Sequence, residues 1–403
     1  MAGNMATRSG KARPDFDVKA VLPYRVVIYP PVEWGGLFQR PHHMALQLGK
    51  RFRRVHFVQP AGLRNPSLAD VKRLKGYILT SEKLRDRPAG GAAGPEINRL
   101  PFVPFHGISF FEAWNARVFQ GYLKKMEVSA KRTLLWIASP APFIRRALER
   151  MKAVSWVFDW MDDYSIFPQL PVEVIRTQYW MVREADAVFT SSVHLRERAE
   201  NSRDNGIYYL PNGVDMEHWA GHFPSPFHGE RPFGRNVIGY FGTISHWLDG
   251  RLIATLASKR KDWNFVFIGP RADNGLLDSM FALPNCHHVP PQPYEKLPGL
   301  AAHFDSCWIP FKRKAVVKSI NPVKAYEYLA LGKPVVSVPL PDLEALSGVV
   351  AFATGPASFE QALSKALSDP GGSRMEAMRM TAVEPYSWEA LGFRAADILA
   401  DLY

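Results

Sequence analysis

Short apolar runs alternate with segments of helical period along most of the chain. Tyr24–Tyr29 (YRVVIY), Val55–Gln59, Thr133–Ala138, Ser155–Asp159 and Ala187–Thr190 read as strands. Pro41–Lys50 reads as a helix with Pro at its first position. The stretch 173–190 reads as helix and then strand. After Tyr208–Asp215 the pattern stops. Residues 216–235 (MEHWAGHFPSPFHGERPFGR) are rich in Pro, Gly and His without a period, and read as a linker. A second series follows: Val237–Phe241, a helix over 249–258, then Phe265–Ile268, Cys286–Val289, Ser306–Ile309, Val335–Val338 and Val349–Phe352. Strand–helix alternation predicts parallel sheets covered by helices on both faces. Two such series predict two doubly wound α/β domains with a cleft between them. The expected division is a leader over 1–20, a first domain over 21–215, the linker over 216–235, a second domain over 236–385 and a last segment over 386–403.

Composition adds a constraint. The 403 residues are 47% apolar and 22% charged, which suits a globular protein with a large core. The net charge of +12 favours an anionic partner: nucleotide phosphates, an anionic membrane surface or nucleic acid. The two cysteines, Cys286 and Cys307, lack CxxC spacing and read as packing residues of a reducing, cytoplasmic compartment. No apolar run reaches the ~18 residues of a membrane span. The basic start, MAGNMATRSGKARPD, lacks the apolar stretch of a secretory signal.

In open α/β sheets, ligands bind beyond the carboxyl ends of the strands, so the residues there carry the candidate chemistry. Gly35 and Gly36 after the first strand let backbone approach a ligand, and Arg40 and His43 stand at the start of the next helix. Asp159, Asp162 and Asp163 follow the fifth run. One such carboxylate suits a general base, a pair suits a divalent metal, and either also suits a helix cap. In the second half, Gly242 and Thr243 follow one strand, while Gly269 and Arg271 follow the next. Val289 to Tyr294 forms a proline-rigid loop with an aromatic face for a base, and Lys312, Arg313 and Lys314 follow a further strand. The stretch SINPVKAYEYLALGKPVV then opens a helix at Asn321, Pro322 and Val323. Lys324 falls in the first turn, where free N–H groups and the helix dipole already attract anions. Glu327 projects from the same face and suits the vicinal hydroxyls of a ribose. A cation for diphosphate and an acid for ribose on one helix describe a nucleoside-diphosphate site. The alternative is a plain Lys–Glu pair within the helix.

Taken in order, Gly35-Gly36, Leu210-Pro-Asn-Gly-Val-Asp215, Phe267-Ile-Gly269, the Pro293–Pro298 loop and Tyr326-Glu-Tyr-Leu-Ala-Leu-Gly-Lys-Pro-Val-Val336 resemble the GT-B glycosyltransferases of the group-1/family-4-like kind, over residues 24–400. Trp34 with Leu37–His43, and Asp159–Tyr164, are similar to enzymes of bacterial surface-polysaccharide assembly. The resemblance implies two Rossmann-like domains facing each other across a cleft. It implies a nucleotide-sugar donor on the second domain and an acceptor on the first, no required metal or other cofactor, and a final helix crossing back to the first domain. Retaining members carry two glutamates separated by seven residues; here Glu327 matches the second, but Ser319 holds the first position. Lys324 with Glu327 is more like the xanthan-type glucuronosyltransferases, which invert and use a strand-end Asp in the first domain. Asp162 aligns with that base, with Asp163 or Asp159 as fallbacks.

The expected activity is therefore transfer from a UDP-sugar to a hydroxyl of a lipid-linked or growing surface glycan, by a cytoplasmic enzyme peripheral to the inner membrane face. Phe102–Phe111 is a candidate lipid contact. A sugar-nucleotide epimerase or hydrolase on the same fold is the rival enzyme, and a basic anion-binding protein the non-enzymatic rival. Basic runs without interleaved aromatic residues argue against nucleic acid.

Overall fold

A computed structural model describes residues 22–35, 38–66, 94–126, 133–151, 154–220, 231–273, 275, 277–312, 320–369 and 374–402. The leader, Gly36 and Arg313 lie outside the described residues. The first sheet contains β1 (Leu22–Tyr29), β2 (Phe52–Val58), β3 (Glu96–Asn98), β4 (Thr133–Ile137), β5 (Ser155–Trp160), β6 (Ala187–Thr190) and β7 (Ile207–Tyr209). Its order is β3-β2-β1-β4-β5-β6-β7, and every pairing is parallel. The second sheet is built from β8 (Val237–Phe241), β10 (Asn264–Ile268), β12 (Cys286–Val289), β13 (Ser306–Ile309), β14 (Val335–Ser337) and β15 (Val350–Phe352). Its order is β12-β10-β8-β13-β14-β15, again all parallel. A two-stranded ribbon, β9 (Ile244–Ser245) with β11 (Arg271–Ala272), extends beyond β8 and β10. Counted within its own half, the second sheet runs 3-2-1-4-5-6 and the first runs 3-2-1-4-5-6-7, the doubly wound order, in which the strand order reverses between strands 1 and 4.

The strand sequences dictate the layering. Successive side chains of a strand point to opposite faces. In β1, Val27 and Tyr29 join a core with Phe102, Phe119 and Phe143, while Val26 and Ile28 join another with Met44, Leu48 and Phe57. Both faces are covered, which is why the run is apolar throughout rather than alternating. The second core gathers Ile238, Phe265, Phe267, Trp308 and Leu329. The helix Trp388–Leu402 returns to the first sheet, where Trp388, Leu391, Ala395 and Leu399 complete the core against Val26 and Ile28. Residues 216–220, part of the stretch that composition marks as a linker, form a helical turn whose Trp219 is fully buried. Among the described residues, no helix is long and apolar enough to cross a membrane.

One buried ion pair fixes the cleft edge of the first sheet. Arg40 Nη2 donates to Asp159 Oδ1 at 2.8 Å, and Nε reaches both carboxylate oxygens at 3.1 Å. Arg40 Nη1 donates to the Pro211 carbonyl at 2.8 Å, and Trp136 Nε1 donates to Asp159 Oδ2 at 3.2 Å. Arg40 was expected in the cleft as an acceptor contact. In the structure its guanidinium is buried and three of its five N–H groups are spent inside the protein, because a buried guanidinium must be paired. Asp159 is equally committed. Removing one partner strands the other charge. Asp159→Ala should lose about 3–5 kcal/mol in urea unfolding, whereas Arg40→Met with Asp159→Leu should recover most of that loss.

Candidate functional site

At the carboxyl end of the second sheet three segments crowd together. Gly242 follows β8 with φ 122°, and Gly269 follows β10 with φ 142°. A Cβ on Gly269 would lie 2.3 Å from the Gly242 carbonyl oxygen, and a Cβ on Gly242 would lie 2.2 Å from Lys324 Cε. Only glycine permits this approach. Lys324 enters from the first turn of the helix Val323–Ala330, and its Nζ stands 5.6 Å from the centre of the Tyr240 ring. The helix is fastened to the sheet through Tyr328, whose hydroxyl accepts from Phe241 N at 3.1 Å. Pro322 caps the helix with no side-chain bond to its amides. The first N–H groups of a helix have no partner inside it, so Val323 and Lys324 present theirs beside the ammonium.

Glu327 lies one turn on, half-buried. Loss of hydration pushes its carboxyl up to about 7, and nearby Lys324 pulls the other way. Its charge in turn helps raise the Tyr294 phenol, which places it near that ring. Thr243 sits at the rim, where its carbonyl accepts from the Tyr240 hydroxyl at 3.0 Å.

Several other expected donor contacts are engaged elsewhere. Asn321 spends its polar groups inside the protein. Its Nδ2 donates to Tyr326 Oη and Asp342 Oδ1, both at 3.0 Å, its Oδ1 accepts from Asn212 N at 3.1 Å, and its carbonyl accepts from Asn212 Nδ2 at 3.0 Å. Asp342 Oδ1 also accepts from Tyr209 Oη at 2.9 Å and Val193 N at 3.1 Å. This latch joins the ends of β6 and β7 to the second domain. Sequence reading missed all its members but Asn321, although Asn212 lies in the Pro-Asn-Gly-Val-Asp motif. Arg271 is exposed and engaged with neighbouring carboxylates. It is ion-paired to Asp273 at 2.7 Å and to Asp278, and it lies over the Phe281 ring. The Val289 carbonyl accepts from Gly269 N at 3.0 Å, so it is spent on the sheet. Tyr294 stacks on His218 at 4.0 Å and its hydroxyl accepts from Trp219 Nε1 at 3.1 Å. It anchors the 216–220 turn rather than offering a free face to a base.

Across the cleft, the three aspartates at the end of β5 have three environments. Asp159 is locked as described. Asp163 Oδ1 accepts from Ser165 N and Oγ, and Oδ2 takes an ion pair from Arg198, so this carboxylate is a cap and not a base. Asp162 makes no hydrogen bond among the described residues. Its carboxyl is pushed up to about 7, first by the protein crowded around it; Arg40 pulls down, and Asp159 and Asp163 push further up. Its side chain still meets solvent, so the upward direction is what the chemistry uses. Gly35 is open, with φ 101° and nothing within 4 Å of a Cβ placed on it. His43 is not at the cleft surface. It stacks on Trp388 at 4.7 Å, and burial pushes its imidazole down to about 3.

Two Rossmann-like parallel sheets, one of seven strands and one of six, match the GT-B architecture that the motifs implied. The comparisons agree. Over 224 residues the chain is 28% identical to the putative teichuronic acid biosynthesis glycosyltransferase TuaH of Bacillus subtilis strain 168, covering 52% of this chain. The match spans 56% of that relative's own length. The fold is shared with sucrose-phosphate synthase from Thermosynechococcus elongatus (TM-score 0.68, 12% identity, 94% of this chain and 99% of that one). It is shared too with Anabaena HepE, whose structure contains UDP and glucose (TM-score 0.61, 13% identity, 94% of this chain and 100% of that one). No protein-family model matches the chain.

The raised Glu327 carboxyl has a consequence for stability. A folded pKa above the unfolded value means the native state holds the extra proton between about pH 4 and 7, so this group's contribution to stability declines as pH rises through that window. Glu327→Gln should therefore unfold at higher urea than the parent at about pH 8, and the difference should shrink towards about pH 5.

Proposed function

We propose that the protein is a glycosyltransferase that moves a sugar from a nucleotide-diphosphate donor, UDP-linked, to a hydroxyl of a bacterial surface glycan. The observation that carries this reading is the convergence of Gly242, Gly269 and Lys324 with the open start of the Val323–Ala330 helix. Bare backbone, unpaired amides and one ammonium form a site for an anion without protruding side chains. On this reading, Lys324 and the amides of Val323 and Lys324 hold the diphosphate and stabilise the charge that builds on it as the glycosidic bond breaks. Glu327 accepts from the ribose hydroxyls. That positive charge serves the leaving group without a metal. The TuaH relative and the UDP in the HepE structure support the donor class.

Asp162 is the proposed base. Of the three aspartates it alone has a carboxylate free of internal bonds, and its raised pKa suits proton transfer near neutral pH. It takes the acceptor proton as the hydroxyl oxygen attacks the anomeric carbon and the UDP oxygen leaves, which inverts that carbon. The acceptor side is the first domain, 21–215, and the donor side the second, 236–385, with the 216–235 segment between them and 386–403 returning to the first. We place the reaction on the cytoplasmic membrane face, on a lipid-linked or growing glycan. The two free, buried cysteines fit a reducing compartment.

Asp162→Asn should lower turnover by about 10²–10⁴ while UDP affinity measured by calorimetry holds. In the parent enzyme kcat/KM should rise with pH through about 7 as this carboxyl ionises. Lys324→Ala should weaken UDP binding about tenfold or more. Full transfer by the Asp162→Asn enzyme removes the base, and absence of UDP binding by the parent chain removes the whole reading. Incubation with donor alone separates an epimerase, which needs no acceptor, and NMR of the anomeric product reports the stereochemistry.

A further inference from the structure

Large apolar side chains exposed one at a time need no explanation, but a cluster does. Among the described residues six such side chains are exposed, and four fall in one neighbourhood of the first domain: Ile108 (47%), Phe110 (71%), Trp114 (47%) and Val172 (51%). Phe110 and Trp114 are four residues apart on the helix Ser109–Lys125 and share a face. Val172 opens the helix Val172–Glu184, and its neighbour Glu173 lies 3.4 Å from where a Cβ on Gly107 would stand. The Phe102–Phe111 run thus divides: Phe102 belongs to the core, and Phe110 does not. The Trp114 indole N–H donates to the Pro101 carbonyl at 3.2 Å, so the ring is fixed with its polar atom satisfied while its apolar surface stays in water.

Beside this cluster lies a cavity of about 470 Å³ between the same two helices and the helix Pro142–Leu148. Arg145, Arg146, Arg150 and Arg176 line it, together with Glu112, Glu149 and Glu173. The carboxylates do not cancel the arginines evenly. Glu149 is tied to Arg145 at 2.9 Å, and Glu112 accepts from Gly107 N at 2.9 Å. Arg146 reaches Ser109 Oγ at 3.2 Å. Arg150 and Arg176 make no hydrogen bond or ion pair among the described residues and are exposed. Arg117, Lys124 and Lys125 add exposed positive charge along the Ser109–Lys125 helix. The helices beginning at Pro142 and Val172 follow β4 and β5, so the patch borders the cleft side of the first sheet.

We propose that this face docks the protein onto an anionic lipid bilayer. Ile108, Phe110, Trp114 and Val172 enter the interface, and Arg150 and Arg176 take a lipid phosphate at the mouth of the cavity. Charge complementarity chooses the occupant. Apolar tips beside a cavity where four arginines outnumber three glutamates fit a bilayer surface bearing phosphate, where amphipathic aromatics sit at headgroup depth and each unpaired arginine adds to the attraction. An apolar protein partner would leave the unpaired arginines without a counter-charge. The inference deepens the proposed function, since it brings the acceptor side of the cleft to a membrane, but its test uses no sugar chemistry.

The test is co-sedimentation of the full chain with phosphatidylcholine vesicles, with and without phosphatidylglycerol. The parent protein should bind the anionic vesicles and bind the neutral ones at least about tenfold more weakly. Arg150→Glu with Arg176→Glu should cut anionic binding at least about tenfold, since each arginine lost is worth about fivefold. Phe110→Ser with Trp114→Ser should weaken binding to a similar degree. Met375→Ser with Met378→Ser, at the exposed apolar pair of the other domain, should leave it unchanged. UDP affinity should hold in all three double variants, which keeps this outcome separate from the donor reading. If the serine pair fails to fold, the arginine pair, wholly on the surface, carries the test. Equal binding to neutral and anionic vesicles, or parent-like binding by the arginine pair, overturns the proposal. So does binding of soluble glycerol phosphate without any binding of vesicles, which marks a small-anion site instead.

Discussion

Two backbone turns and one lysine stem share a few ångströms at the end of the second sheet. Everything proposed for the donor follows from that crowding. Gly242 and Gly269 take positive φ angles that side chains resist, and a methyl at either would strike the neighbouring chain. The space is filled by Lys324 instead, whose charge comes to lie over the ends of β8 and β10. The helix carrying it cannot drift, because Tyr328 accepts the Phe241 amide and its ring packs across Phe241. An anion entering here meets charge and amides that are already in position, so little reorganisation is needed.

The cost of burying polar groups sorts the remaining candidates. A buried charge or amide must find partners, and once partnered it is unavailable to a ligand. Arg40 and Asp159 satisfy each other with help from Trp136 and Pro211. Asn321 is held by Asp342, Asn212 and Tyr326, and Tyr209 donates to the same oxygen of Asp342. Asp163 is taken by Arg198 and Ser165. Asp162 is left over: crowded by like charges, yet bound to none of them. Three carboxylates within five positions acquire three roles because three different sets of neighbours reach them.

The first domain sets the same economy against water at its outer edge. Its apolar runs are buried wherever a helix covers them, as Phe102, Phe119 and Phe143 show. At Ile108, Phe110 and Trp114 no element among the described residues covers them, and arginines line the cavity beside them. The returning helix Trp388–Leu402 settles on the opposite face, against Arg40–Gly49, where it stacks Trp388 on His43. Both faces of this sheet are covered by helices, but the helix Ser109–Lys125 on one of them keeps apolar side chains on its outer surface.

Much of this was legible in the sequence. Apolar runs bounded by helical periods specify strands and helices through local sterics and burial, so the two parallel sheets were readable in their central strands, whereas the short β3 and β7 and the β9–β11 ribbon carry too little apolar pattern to be read. Lys324 and Glu327 were readable too, because helical spacing alone puts them on one face near a positive end. The partners of Arg40, Asn321, Arg271, Tyr294 and His43 were not. Arg271 is held by Asp273 and Asp278 close along the chain, but the others are fixed by distant groups: Arg40 by Asp159, Asn321 by Asn212 and Asp342, Tyr294 by His218 and Trp219, His43 by Trp388. Local pattern determines which element a residue belongs to. Only the packing of distant elements decides whether a polar side chain is spent inside the protein or left facing the cleft, because burial makes pairing obligatory and the fold chooses the pair.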